Sequence, residues 1–139
     1  MPPADHPGLR LRLAHEAKRV AAQHEAIDAF EREVRAAFES GEAPALEASL
    51  RSLERALIAH FAIEEDVHFP ALHGFDPGFA GEIQDLVREH VSFRETLARL
   101  IAERAATPAD RIAAFAALTG RLRKHEDREE TLFARSSPS

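Results

Sequence analysis

Four segments of this chain carry apolar residues at steps of three and four, the repeat of a single helix face. The first is predicted from about Leu9 to Ser40, with Leu9, Leu13, Val20, Ile27, Val34 and Phe38 on one side and Gly41 where a helix C′ residue is expected. The second opens near Pro44, a residue tolerated in a first helical turn, and is predicted to stop near Pro70; its seam reads Leu46, Leu50, Leu53, Leu57, His60, Glu64, Val67. Asp76 and Pro77 form an N-cap and N1 pair for the third, whose seam is Phe79, Ile83, Leu86, His90, Phe93, Leu97, Leu100. Thr107, Pro108 and Asp110 open the fourth with a capping-box-like pair, followed by Phe115, Leu118, Leu122, His125, Glu129, Leu132. No stretch alternates apolar with polar over more than a few positions, and β-branched residues are sparse. The prediction is an all-α protein, an up-down-up-down antiparallel four-helix bundle over residues 9–135, with an N-terminal arm (1–8) and a C-terminal tail (136–139).

Each seam is interrupted by polar residues where the rhythm calls for a core leucine. His24 breaks the first, His60 and Glu64 the second, His90 the third, and His125 and Glu129 the fourth. The interruptions repeat. His60-Phe61-Ala62-Ile63-Glu64-Glu65 and His125-Glu126-Asp127-Arg128-Glu129-Glu130 both read HxxxEE and lie 65 residues apart, and His24 and His90 are separated by 66. Their depths agree as well. His24 is 17 residues before Gly41, His60 is 16 after Pro44, His90 is 17 before Thr107, and His125 is 17 after Pro108. At a rise of about 1.5 Å per residue the four imidazoles fall in one layer, to within ~2 Å.

An HxxxE pair is often an exposed ion pair, and a lone core histidine is usually just hydrogen-bonded. Six such residues on four apolar seams at one depth are a different matter. Burying a carboxylate without a partner costs several kcal/mol, this layer would bury two, and no Lys or Arg stands on the seams to neutralise them. A pair of dications removes that penalty. Four imidazoles and two carboxylates suit iron ahead of zinc or manganese, with each metal taking two His and the two Glu shared. Ferritin-like centres invert the ratio, with four carboxylates and two His. The imidazole-rich set holds ferrous ions more comfortably and points to redox cycling or reversible binding.

Composition narrows the chemistry further. The chain has 139 residues and a net charge of -6, with no basic stripe of the kind a nucleic-acid surface needs. It has no Cys, Tyr or Trp, so thiolate zinc sites, Cys-ligated clusters, thiol nucleophiles and tyrosyl radicals are excluded in this chain. Residues 1–6 show no apolar h-region and no run of 18 apolar residues occurs, so the expectation is a soluble, cytoplasmic protein with neither a membrane nor a nucleic acid as partner.

The H…HxxxEE…H…HxxxEE pattern, with Phe69-Pro70 closing the first repeat, resembles the hemerythrin-like HHE cation-binding domain over about residues 9 to 135. The resemblance implies a left-handed four-helix bundle around two non-haem iron ions, ferrous or ferric and oxo- or hydroxo-bridged when oxidised. It implies His24, His60, Glu64, His90, His125 and Glu129 as metal ligands, with Glu64 and Glu129 bridging. Three departures stand out. Oxygen-carrying hemerythrins bring a fifth His one turn after the third-helix His, where this chain has Arg94, expected to swing outward. Their last carboxylate lies five residues after its His, which would be Glu130; repeat symmetry and the six-ligand branch of the family favour Glu129. Phe133 lies eight residues after His125 but Phe69 nine after His60, so the second repeat is expected to be short or to unwind at its end. The pattern fits the open six-ligand type of iron-centre repair and iron-sensing domains better than a closed carrier, although this chain lacks the Cys that the repair proteins usually bear.

Around the ligands, His68 is expected to be a supporting or surface residue rather than a seventh ligand. His15, His73 and His6 carry no metal signal, and Ile27 and Phe93 are expected to wall off bulk water. Glu65 and Glu130 should face solvent or hold a ligand imidazole by its other nitrogen. The function expected is a di-iron module binding a small ligand (O2, peroxide or NO) for sensing, storage or stress response. The alternatives are an enzyme-like role in peroxide or NO reduction or iron-centre repair, and an interaction module with a structural metal. No Gly-rich loop or nucleophile constellation is present, which leans against a conventional enzyme.

Overall fold

A computed structural model describes residues 7–103 and 106–136. Among them helix is the only regular structure: α1 (Pro7–Ser40), α2 (Ala43–Ile63), α3 (Phe69–Phe75), α4 (Ala80–Ala102) and α5 (Pro108–Ser136). α2 and α3 form one rod, joined through a π turn at Glu64–His68, so the bundle has four long members. α1 packs on α2 and α5, and α4 packs on the same two, which closes the up-down-up-down square. No helix among the described residues is long and apolar enough to cross a membrane. Of the expected arm and tail, residues 1–6 (with His6) and 137–139 lie outside the described residues, whereas Pro7 and Ser136 are helical.

The punctuation follows the local chemistry. Gly41 takes φ 70°, the left-handed conformation that ends a helix at no Cβ cost, and its N–H reaches the Phe38 carbonyl. Asp76 caps by accepting from the Gly78 N–H at 2.8 Å, but what it caps is a single 3-10 turn, Pro77–Phe79, that feeds α4. Thr107 Oγ1 accepts from the Asp110 N–H at 3.2 Å at the head of α5.

The second rod departs from the expected stop at Pro70. It runs on to Phe75 because the π turn makes room for the proline: the Phe69 N–H bonds back five residues to the Glu64 carbonyl. In a regular α-helix the Pro70 ring would meet the carbonyl four residues back; the widened turn displaces that carbonyl. The extra residue also turns the face. Val67, expected in the seam, is only partly buried, and His68 and Phe69 are buried instead. This corrects the reading of the second repeat as short. The nine-residue interval from His60 to Phe69 contains one π residue, while α5 stays regular α past Phe133, and both phenylalanines end 2% exposed.

The core is split in two. One cluster gathers Ile27, Val34, Leu50, Leu57, Phe93, Leu97, Phe115 and Leu122 with their neighbours, and the other gathers Leu13, Val20, Phe69, Leu72, Leu86, Leu132 and Phe133. Each buried Leu or Phe contributes about 1.5–3 kcal/mol of transfer free energy. The polar residues of the seams lie at the division between the clusters.

Candidate metal centre

His24 stands on α1, His60 on α2, Glu64 at the first position of the π turn, His90 on α4, and His125 and Glu129 on α5. All six are buried, with Glu64, His90 and Glu129 at 0% exposure. Their donor atoms fall into two quartets, His24/His60/Glu64/Glu129 and Glu64/His90/His125/Glu129, within each of which the atoms lie no more than 4.8 Å apart. Both quartets contain both carboxylates. The Glu64 Oε1 atom lies 3.1 Å from His60 Nε2 and 3.2 Å from His90 Nε2, while Glu129 is 2.5 Å from His125 Nε2 through Oε1 and 3.8 Å from His24 Nε2 through Oε2. None of the four carboxylate oxygens has a hydrogen-bond partner. Two buried acids with bare oxygens, surrounded by imidazole Nε2 atoms, are a donor set without its acceptor, and a cation pair fits it.

The protonation states suit metal binding. Burial alone would raise Glu64, but the His60 and His90 imidazoles outweigh it and hold the carboxyl at about 2. Burial pushes His125 down to about 4, against the raising influence of Glu64, so its ring is neutral at ordinary pH. Ionised carboxylate and neutral imidazole are the forms that ligate.

Each imidazole turns Nε2 inward and Nδ1 toward an acceptor on a neighbouring element. His60 Nδ1 donates to Gln23 Oε1 at 2.7 Å, His90 Nδ1 to Glu65 Oε2 at 2.9 Å, and His125 Nδ1 to Glu89 Oε1 at 3.2 Å. His24 Nδ1 faces Glu126 and Glu130, each at 3.5 Å, and has no hydrogen bond. The supports run round the bundle in packing order: α1 holds the α2 histidine, the π turn holds that of α4, α4 that of α5, and α5 faces that of α1. An acceptor on Nδ1 fixes the tautomer that leaves Nε2 free for a metal. Gln23, Glu89 and Glu126 were not singled out from sequence, though each is the immediate neighbour of a seam histidine.

The surroundings are aromatic. Phe61 and Phe69 stack on His90 at centroid distances of 4.0 and 5.7 Å, and Phe93 meets His125 edge-on at 5.2 Å. Ile27 and Phe93 are buried, and so is Phe61. Arg94 is solvent-exposed, and Phe93 takes the inward position of that turn. Glu130 is about half exposed, unlike Glu129.

His68 is fully buried, which rules out the surface alternative. It belongs to neither quartet; its Nδ1 lies 2.5 Å from Glu16 Oε2, itself buried on α1. Burial lowers the His68 pKa, partly offset by Glu16. His15 and His73 are exposed.

The family model for the hemerythrin HHE cation binding domain matches residues 15–135. Neither a curated protein nor a solved structure gives a significant match.

Proposed function

The chain belongs to the hemerythrin HHE cation-binding domain family, and we propose that its centre holds two iron ions and binds a small ligand for sensing, storage or stress response. The observation that carries this reading is the sharing of both carboxylates: Glu64 and Glu129 occur in each quartet, as a dinuclear site with two bridging acids requires. His24 and His60 would hold one ion and His90 and His125 the other, with Glu129 rather than the half-exposed Glu130 as the second bridge. Iron so held would supply one-electron redox chemistry and Lewis acidity toward O2, peroxide or NO.

The chain's own residues set the terms of that chemistry. Gln23, Glu65 and Glu89 keep three imidazoles oriented, and Phe61, Phe69 and Phe93 keep bulk water off His90 and His125. Of the six candidate donors His24 and His60, each 6% exposed, are the least deeply buried, so a small ligand would approach the centre from their side. Four neutral imidazoles against two carboxylates leave a pair of divalent ions with net positive charge, a setting for ferrous iron and small anionic or polarisable ligands.

Metal analysis together with an optical spectrum of the reduced protein, before and after air, tests the reading. The expected result is two irons per chain and a new absorption band on oxidation. His60→Ala and His125→Ala should each remove one ion and weaken the other. A colourless protein carrying zinc, or a stoichiometry of two in both variants, overturns it.

A further inference from the structure

Beside the centre, on the outer side of His24, lies a second group of acids. Asp28 and Glu31 follow His24 on α1, and Glu126 follows His125 on α5; one carboxylate oxygen from each lies within 4.8 Å of the others. Asp28 and Glu126 are half-buried, so the group opens to solvent, while Glu31 is only 5% exposed. Arg35 reaches Glu31 Oε2 at 3.6 Å and leaves Oε1 buried with no hydrogen-bond partner. Burial and Asp28 push Glu31 up to about 7 despite Arg35, Arg123 and Arg32.

A separate observation points the same way. Of the four Nδ1 atoms that face the supporting ring, only that of His24 lacks a hydrogen bond. It faces Glu126 Oε2 at 3.5 Å, and its Nε2 faces Glu129 on the other side. His24 is therefore the one ligand whose ring spans from the acid group to the inner quartets, and the one held least firmly.

We propose that Asp28, Glu31 and Glu126 form a third, all-oxygen cation site at the mouth between α1 and α5, from which a divalent ion passes to the centre by way of His24. Three carboxylate oxygens suit a hard, partly hydrated dication, with water completing its shell, and the adjoining imidazole favours Fe²⁺ or Mn²⁺ over Mg²⁺ for the onward step. An ion there would satisfy the bare Glu31 oxygen and relieve the crowding of three acids. The site depends on the di-iron reading only for the ion's destination.

The test uses Mn²⁺ as probe on protein loaded with iron, oxidised in air and freed of excess metal. Room-temperature electron paramagnetic resonance counts the Mn²⁺ bound and metal analysis counts the iron. One Mn²⁺ per chain is expected beyond two irons. Glu31→Gln should abolish it and Asp28→Asn, at the half-exposed position, should weaken it at least tenfold, both with iron still at two. In stopped-flow loading of chelator-stripped protein with Fe²⁺, both variants should fill about tenfold more slowly to the same end point. No third ion in the native protein, or Mn²⁺ affinity unchanged in both variants, overturns the site, and unchanged loading rates overturn its role in delivery. A chain that retains no iron yet binds one Mn²⁺ dependent on Glu31 would sink the di-iron reading and leave the mouth site standing.

Discussion

Glu89 carries two hydrogen bonds, one from His125 Nδ1 and one at 2.7 Å from Arg128, so it both orients a candidate ligand and is itself oriented. Replacing it with Ala should leave two metal ions per chain but lower affinity by about 10–100-fold, read by competition with a chromogenic chelator. An affinity within twofold of the native value would show that the ring needs no support. Loss of an ion is expected only for the six inner donors, and His68→Gln should keep two. The burial and convergence of those six residues were legible because each replaces a leucine in a three-and-four rhythm. Their supports were not, because which neighbour of a seam histidine turns toward the next helix depends on helix rotation. Glu16 and Glu31 are an intermediate case. The buried face of α1 runs Leu13, Glu16, Val20, His24, Ile27, Glu31, Val34 in unbroken steps of three and four, so the spacing held the signal, but an acid outside an HxxxE motif reads as a solvated face.

The π turn is the element-scale counterpart of this. It starts at a bridging candidate, Glu64, and ends at His68, and it lets one rod carry candidate ligands, proline and a buried aromatic in one line. Deleting Asp66, which is exposed within the turn, would force regular α geometry on the segment. Pro70 would then meet the preceding turn, and His68 and Phe69 would rotate off the core. The expected loss is roughly 3 kcal/mol or more in urea denaturation, larger than for any single exposed substitution. A stability within 1 kcal/mol of the native chain would mean that the rod tolerates the proline without the extra residue. The four long members, their order and the start of α5 were readable from caps and prolines, whereas the Asp76–Pro77 pair marked a 3-10 turn ahead of α4 rather than its first turn. The π residue was visible only as an interval of nine where its repeat has eight, and an interval alone does not say which repeat is irregular.

At the scale of the whole molecule, the polar layer divides the core, so metal held there would link metal content to stability. Chelator should lower the melting temperature by roughly 4 °C for each kcal/mol of binding free energy lost, and equal melting with and without chelator would count against a buried centre. The metal-free chain should also show two opposed pH dependences. His125, lowered by burial from 6.5 to about 4, contributes stability that is present above pH 6.5 and lost as pH falls toward 4. Glu31 is raised by burial and by Asp28 from 4.5 to about 7, against Arg35, Arg123 and Arg32, with Glu126 facing it from α5. Its folded form keeps a proton that the unfolded chain gives up, so its contribution is full below pH 4.5 and disappears as pH rises through 7. Glu31→Gln makes that proton permanent. In urea denaturation of chelator-treated protein, the variant should match the native chain near pH 4.5 and exceed it by on the order of 2–3 kcal/mol at pH 7.5. Adding Mn²⁺ at pH 7.5 should shrink this advantage, because a cation at the mouth neutralises the native carboxylate and has nothing to hold it in the variant. A difference independent of pH would mean that Glu31 ionises freely in the folded chain. A difference that Mn²⁺ leaves untouched would mean that the acids at the mouth hold no ion.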